Sequence, residues 1–259
     1  MPKIRVLIVD DSVVFRRLVS EVLSADPMLE VAGTAANGLI ALAKMTQVNP
    51  DLVILDIEMP EMDGLTTLKE LRKTYPRLPI IMFSSLTERG AAETLDALSF
   101  GASDYFTKPT NVGGLDASLL IIRDELIPEI KALCGVGVIA EPPPKTLRTV
   151  DLAASARAGR PAKSGKVELV AIGASTGGPN ALAEIFTRLP ADFPVPIVIV
   201  QHMPPMFTRL LADRLSDQSK IHVQEGSSGV FPRAGQAFIA PGDYHMIVVR
   251  DGDRPRQRH

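Results

Sequence analysis

The chain has 259 residues, 46% of them apolar, with 28 Lys and Arg against 30 Asp and Glu for a formal net charge of −2 and a pI near 6.1. That balance excludes binding to nucleic acid or to an anionic membrane through bulk charge, and the length suffices for two domains, each with its own core. The single cysteine, Cys134, allows no intramolecular disulfide, no Cys/His cluster has zinc-site spacing, and no run reads as a signal peptide or a membrane span, so a cytoplasmic protein without membrane insertion is expected.

From residue 1 to 128, short β-branched runs alternate with helix-period segments. "IRVLIVDD", "EVAGTAAN", "PDLVILDIEMP", "LPIIMFSS" and "ASDYFTKP" read as strands, and "SVVFRRLVSEVLSAD" and "DGLTTLKELRKTYP" as helices between them. Buried apolar strands joined by helical crossovers predict a doubly wound parallel α/β sheet, with ligands beyond the carboxyl ends of its strands. Asp10 and Asp11 close the first strand and Asp56 closes "LVILD", so three carboxylates converge on one edge. Like charges that close repel unless a cation neutralises them, and a hard ion such as Mg²⁺ suits the donor set. Ser84 and Lys108, at the ends of two further strands, bring a hydroxyl and an ammonium to the same rim. An aspartate attacking a phosphoryl group needs such a set.

"VDDS", "LVILDIEMPEMDGL", "MFSS" and "ASDYFTKP" together resemble the receiver domain of bacterial two-component response regulators. The resemblance implies a flavodoxin-like five-stranded fold with Asp56 as phosphoacceptor. Asp10, Asp11 and Asp56, with the backbone carbonyl of Glu58, would hold Mg²⁺. Ser84, Lys108 and Tyr105, the last at the family's aromatic switch position, would sense the phosphoryl group.

Residues 129 to 165 lose the apolar periodicity to prolines, small residues and scattered basic side chains and read as a linker, with a short helix conceivable in "VDLAASARA". From 166 the alternation restarts. "KVELVAIGAS", "PIVIVQHMP", "IHVQEG" and "QAFIAPGDYHMIVVR" read as strands, and "NALAEIFTRLP" and "MFTRLLADRLSDQS" as helices. This second α/β domain, 166–259, is short for a complete one, so the chain is expected to be incomplete at its C-terminus.

Within it, Gly173 to Gly177 fits G-x-S-x-G, a strand-to-helix elbow that exposes a serine under strain. A bare glycine-rich turn has the same spelling, while a P-loop would need a following Lys-Ser/Thr and a dinucleotide fold a different glycine spacing. His202 follows "PIVIVQ", at the same carboxyl edge as Ser175, and an adjacent parallel strand would bring imidazole toward hydroxyl as base and nucleophile.

"AIGASTGGPNAL", "VIVQHMPPMFTRLLADRL" and "FIAPGDYHM" resemble the catalytic domain of the chemotaxis protein-glutamate methylesterases, and the receiver and linker before it complete that architecture. The resemblance implies Ser175 as nucleophile, His202 as general base and the Thr176 N–H in the oxyanion hole. It further implies hydrolysis of glutamyl γ-methyl esters on chemoreceptors, deamidation of particular receptor glutamines, a chemotaxis histidine kinase as phosphodonor, and no cofactor for the ester chemistry. The pattern breaks at the triad's acid. Asp192 precedes the strand that His202 follows, roughly 20 Å away at ~3.3 Å per residue, and the Gly-Met-Gly-x-Asp-Gly segment that carries the family's aspartate is not in this sequence. Asp243 stands at a plausible edge without a motif, and His245 reads as structural. The alternative function is a phosphorylation-dependent module that docks receptors or competes for phosphoryl groups without hydrolysis. A transcription factor finds no helix-turn-helix pattern after the linker.

Overall fold

The structure is a computed structural model that describes residues 3–109, 115–135, 167–251 and 254–258. The first domain begins with β1 (Ile4–Val9), α1 (Val13–Ala25), β2 (Leu29–Ala35), α2 (Gly38–Val48), β3 (Leu52–Asp56) and α3 (Gly64–Thr74). It continues through β4 (Ile80–Ser84), α4 (Glu88–Ser99), β5 (Asp104–Thr107) and α5 (Leu115–Ile121), which runs through a π-helical turn (Ile122–Leu126) into α6 (Ile127–Leu133). The helices start where the sequence supplies a cap. Ser12, Asn37, Asp63 and Thr87 each accept a backbone N–H three residues on, which satisfies one of the donors a helix start leaves unpaired.

All five strands pair in parallel in the order β2-β1-β3-β4-β5, the flavodoxin-like doubly wound order, with its switch point between β1 and β3. β3 and β4 are buried along their whole length, as strands covered on both faces should be. Phe83 on β4 is fully buried between the rings of Phe15 and Phe106, each 5.4 Å away. Phe83→Ala is therefore expected to destabilise the chain by ~3–5 kcal/mol, read as a lower denaturant midpoint with an unchanged slope.

The helical run to Leu133 carries the first domain past the expected boundary at 128. Most of the expected linker, including "VDLAASARA", lies outside the described residues.

The second domain comprises β6 (Val170–Ala174), α7 (Gly178–Arg188), β7 (Ile197–Gln201), α8 (Pro205–Gln218), β8 (His222–Glu225) and β9 (Gln236–Ile239). Its strands form a parallel sheet in the order β6-β7-β9-β8. The run "QAFIAPGDYHMIVVR" is not one strand. It breaks after Ile239, passes Asp243 in a left-handed conformation (φ 63°), and resumes as β10 (Ile247–Asp251), which pairs antiparallel with β11 (Arg254–Arg258) in a separate ribbon. Pro241 and Gly242 explain the break, since proline lacks the ladder donor and the pair favours a turn.

The two domains touch. The Tyr105 ring of β5 stacks on Phe207 of α8 at 5.0 Å and 8°, and one apolar cluster runs from Leu98 and Ala102 to Leu182, Phe186 and Phe207. Around it Arg209 pairs with Glu88 and Arg214 with Asp96, both at 3.1 Å. These rim pairs are partly exposed and worth little, so they contribute less to the contact than the apolar packing they surround.

Candidate functional sites

Two sites form at the carboxyl edges of the two sheets. At the first, Asp10 and Asp56 are buried while Asp11 is exposed, and one carboxylate oxygen from each lies within 4.8 Å of the others. Lys108 Nζ is 2.7 Å from Asp10 Oδ2 and 2.8 Å from Asp56 Oδ2, with the Phe15 ring 5.0 Å beneath it. Burial pushes the Asp56 carboxyl up to about 6, Lys108 opposes that rise, and the charges of Asp10 and Asp11 add to it. Burial works against the Lys108 ammonium too, but the Asp56 and Asp10 carboxylates outweigh it and hold its pKa above the ordinary lysine value. Three converging carboxylates, two of them buried and bridged by one lysine, fit a hard divalent cation such as Mg²⁺. Ser84 is buried; its hydroxyl accepts from Thr94 Oγ1 at 2.6 Å and reaches the Gly90 carbonyl at 3.2 Å. Glu58 is exposed on the loop after β3, beside a cavity of about 630 Å³ also lined by Asp11, Asp63, Arg89 and Glu93. Tyr105 lies on the strand that leads to Lys108, its ring turned to the other domain.

At the second site, β6 and β7 are neighbours with Ala174 opposite Gln201, so Ser175 and His202 are the first residues beyond two paired strand ends. The His202 N–H donates to the Ala174 carbonyl at 3.2 Å, and both Ser175 and His202 are exposed. Among the described residues no hydrogen bond joins their side chains. The turn differs from the expected elbow in one respect: the left-handed residue is Gly177 (φ 71°), not Ser175. Glycine takes that conformation without a Cβ penalty, so the serine is exposed without being strained. Thr176 is exposed in the same turn.

Asp192 lies on the exposed segment before β7, at the amino edge, as expected. Asp243 and His245 are exposed just after Gly242, which lies against the Met203–Pro205 backbone next to His202. Among the described residues no hydrogen bond ties either side chain to the imidazole.

What the motifs do not reveal is the contact between the sites' domains at the serine turn. The Gly177 N–H donates to Asp104 Oδ2 of β5 at 2.7 Å, and Asn180 Nδ2 donates to the Ala102 carbonyl at 2.9 Å. Asp104 is buried, which raises its pKa, although the Tyr105 and Gly177 N–H groups pull the other way. Glu129 of α6 has a buried oxygen without a hydrogen-bond partner among the described residues. Burial, with the Asp104 and Glu125 charges added, pushes its carboxyl up to about 9. The folded chain thus keeps a proton on Glu129 that an unfolded chain, titrating near 4.5, has lost. Stability from this group is present below the unfolded value and lost as pH rises toward about 9. Glu129→Gln is expected to raise the thermal midpoint more at pH ~8.5 than at pH ~5. A shift of the same size at both would show that Glu129 does not take up the proton on folding.

A CheB methylesterase family model matches residues 170–259, and a response regulator receiver domain model matches residues 6–119. The protein-glutamate methylesterase/protein-glutamine glutaminase of Trichodesmium erythraeum is 52% identical over 99% of this chain and 72% of its own length. The protein of the same name from a Nocardioides species is 51% identical over 100% of this chain and 70% of its own. Among solved structures, the response regulator domain of Thermotoga maritima CheB is 39% identical, covering 52% of this chain and 98% of that one with a TM-score of 0.46. Among the described residues, no helix is long and apolar enough to cross a membrane.

Proposed function

The chain belongs to the protein-glutamate methylesterase/protein-glutamine glutaminase family, and on that premise we propose that it is a cytoplasmic serine esterase switched by phosphorylation of its own first domain. The observation that carries this reading is the placement of Ser175 and His202 at the ends of two hydrogen-bonded parallel strands, with the phosphorylatable domain packed on the same turn through Asp104.

In the esterase half, His202 removes the proton from the Ser175 hydroxyl as its oxygen adds to the carbonyl of a glutamyl γ-methyl ester on a chemoreceptor. The charge that develops on the carbonyl oxygen is met by the Thr176 N–H. Collapse of this intermediate expels methanol, protonated by His202; His202 then takes a proton from water as the water oxygen adds to the acyl carbon, and returns it to the Ser175 oxygen as the glutamate carboxyl is released. A receptor glutamine reacts alike, with ammonia as leaving group. No cofactor takes part in either.

In the receiver half, Asp56 accepts the phosphoryl group from a chemotaxis histidine kinase. Mg²⁺, held by Asp10, Asp11, Asp56 and the Glu58 carbonyl, would neutralise the charge on the oxygens being transferred. Lys108 and Ser84 grip the phosphoryl oxygens. Ser84 then gives up its present contacts with Thr94 and Gly90, and that rearrangement reaches β5 and the Tyr105–Phe207 stack. In the unphosphorylated chain, this stack and the Asp104–Gly177 bond hold the receiver over the serine turn.

The test is methanol release from chemoreceptors carrying labelled methyl esters. Time-dependent release supports the reading, whereas receptor binding without release contradicts it.

A further inference from the structure

We infer that Gln201 is a positioning residue of the esterase site, one that ties the backbone of the nucleophile to the backbone of the base. The inference rests on the esterase reading of Ser175 and His202. Gln201 is the last residue of β7 and is 6% exposed. Its Nε2 donates to the carbonyl of Ser175 at 3.0 Å and to the carbonyl of His202 at 3.3 Å. A primary amide has two N–H donors on one nitrogen, and here each faces one of the two residues whose relative position decides the chemistry. The Ser175 carbonyl also accepts from the Gly178 N–H at 2.7 Å, so the serine's peptide is fixed from the helix and from the strand together.

Packing alone does not account for this residue. Ile197, Ile199 and Gln201 share one face of β7 by the two-residue repeat of a strand, and the two isoleucines are buried in the apolar cluster under α7 and α8. An apolar third member would continue that face. The glutamine instead buries Oε1 without a hydrogen-bond partner among the described residues, an unfavourable arrangement. It also requires glycine at 178, where a Cβ would overlap Oε1. Both features follow if the amide's N–H groups are what this position supplies.

The experiment measures the rate at which a fluorophosphonate modifies Ser175 in the full chain, followed by intact mass across a pH series, for the wild type, Gln201→Met and Gln201→Glu. Modification bonds the serine oxygen to phosphorus and expels fluoride, with the serine proton passing to His202. Gln201→Met keeps the size and loses both donors. It is expected to react to completion with a rate constant lowered on the order of 10- to 100-fold, as for a small misplacement of reacting groups. In Gln201→Glu the carboxylate repels both carbonyls, but its protonated form restores one donor. Its rate relative to wild type at the same pH should therefore recover as pH falls.

Gln201→Met reacting at the wild-type rate would overturn the inference. So would a variant in which only part of the protein reacts, at the wild-type rate, since a purely structural residue alters the folded fraction and not the rate of what is folded. If the wild type is not modified at Ser175, the esterase reading itself falls and the inference with it.

Discussion

Replacing Asp56 with asparagine is expected to abolish uptake of a phosphoryl group, so that the variant, incubated with acetyl phosphate and Mg²⁺, should keep its mass while the wild type should gain that of one phosphoryl group. The transfer needs a carboxylate oxygen as nucleophile: it bonds to phosphorus as the bond from phosphorus to the acetyl oxygen breaks and acetate leaves with the electron pair. Asparagine has the same shape and no such oxygen. Asp56 is buried at the end of β3, 2.8 Å from Lys108 Nζ, and Asp10 keeps its own lysine contact at 2.7 Å. The amide therefore fits the site without unfolding it. Asp11, exposed beside Asp56, is the carboxylate best placed to take over, and phosphorylation of the variant there would show that the cluster, not Asp56, is the acceptor.

Ser175→Ala removes the only hydroxyl that the turn between β6 and α7 presents beside His202, apart from that of Thr176. Loss of a nucleophile that works with its base lowers kcat by about 10⁶ in a serine protease, and methanol release should fall by at least ~10³ here. Folding should be untouched. The serine side chain is exposed, and the left-handed backbone of the turn sits on Gly177. Thr176 is the internal control, since residual release in Ser175→Ala that disappears in the double variant would transfer the nucleophile's role to the neighbouring hydroxyl.

Much of the first site was legible in the sequence because strand ends are. A run such as "LVILD" must be a buried strand, and once several such runs lie in parallel their last residues share an edge. Asp10, Asp56, Ser84 and Lys108 met there for that reason. Ser175 and His202 followed the same rule across β6 and β7. The strain expected at Ser175 was misplaced because the glycines allow the chain to turn one step later, at Gly177. The run from Gln236 to Arg250 misled as well, since β-branched residues on both sides of Pro241 and Gly242 read alike although the chain turns between them.

The contacts between domains carried no local signal. The resemblance puts Tyr105 at an aromatic switch position, but nothing near it in the sequence predicts Phe207, 102 positions away. Asp104 beginning a strand looks like an ordinary solvated end until Gly177 is found against it. Gln201 is silent in the sequence for a different reason: its side chain donates to two backbone carbonyls, which side-chain motifs do not display.

Control of the second domain by the first is what separates a switch from two domains that merely pack together. The most direct measurement is the initial rate of methanol release from labelled, methylated chemoreceptors, taken with the same protein before and after incubation with acetyl phosphate and Mg²⁺. A rise in rate that is absent in Asp56→Asn is the predicted result. Methanol released at one rate in both conditions would contradict the account, because the Asp104–Gly177 bond and the Tyr105–Phe207 stack would then be packing without control.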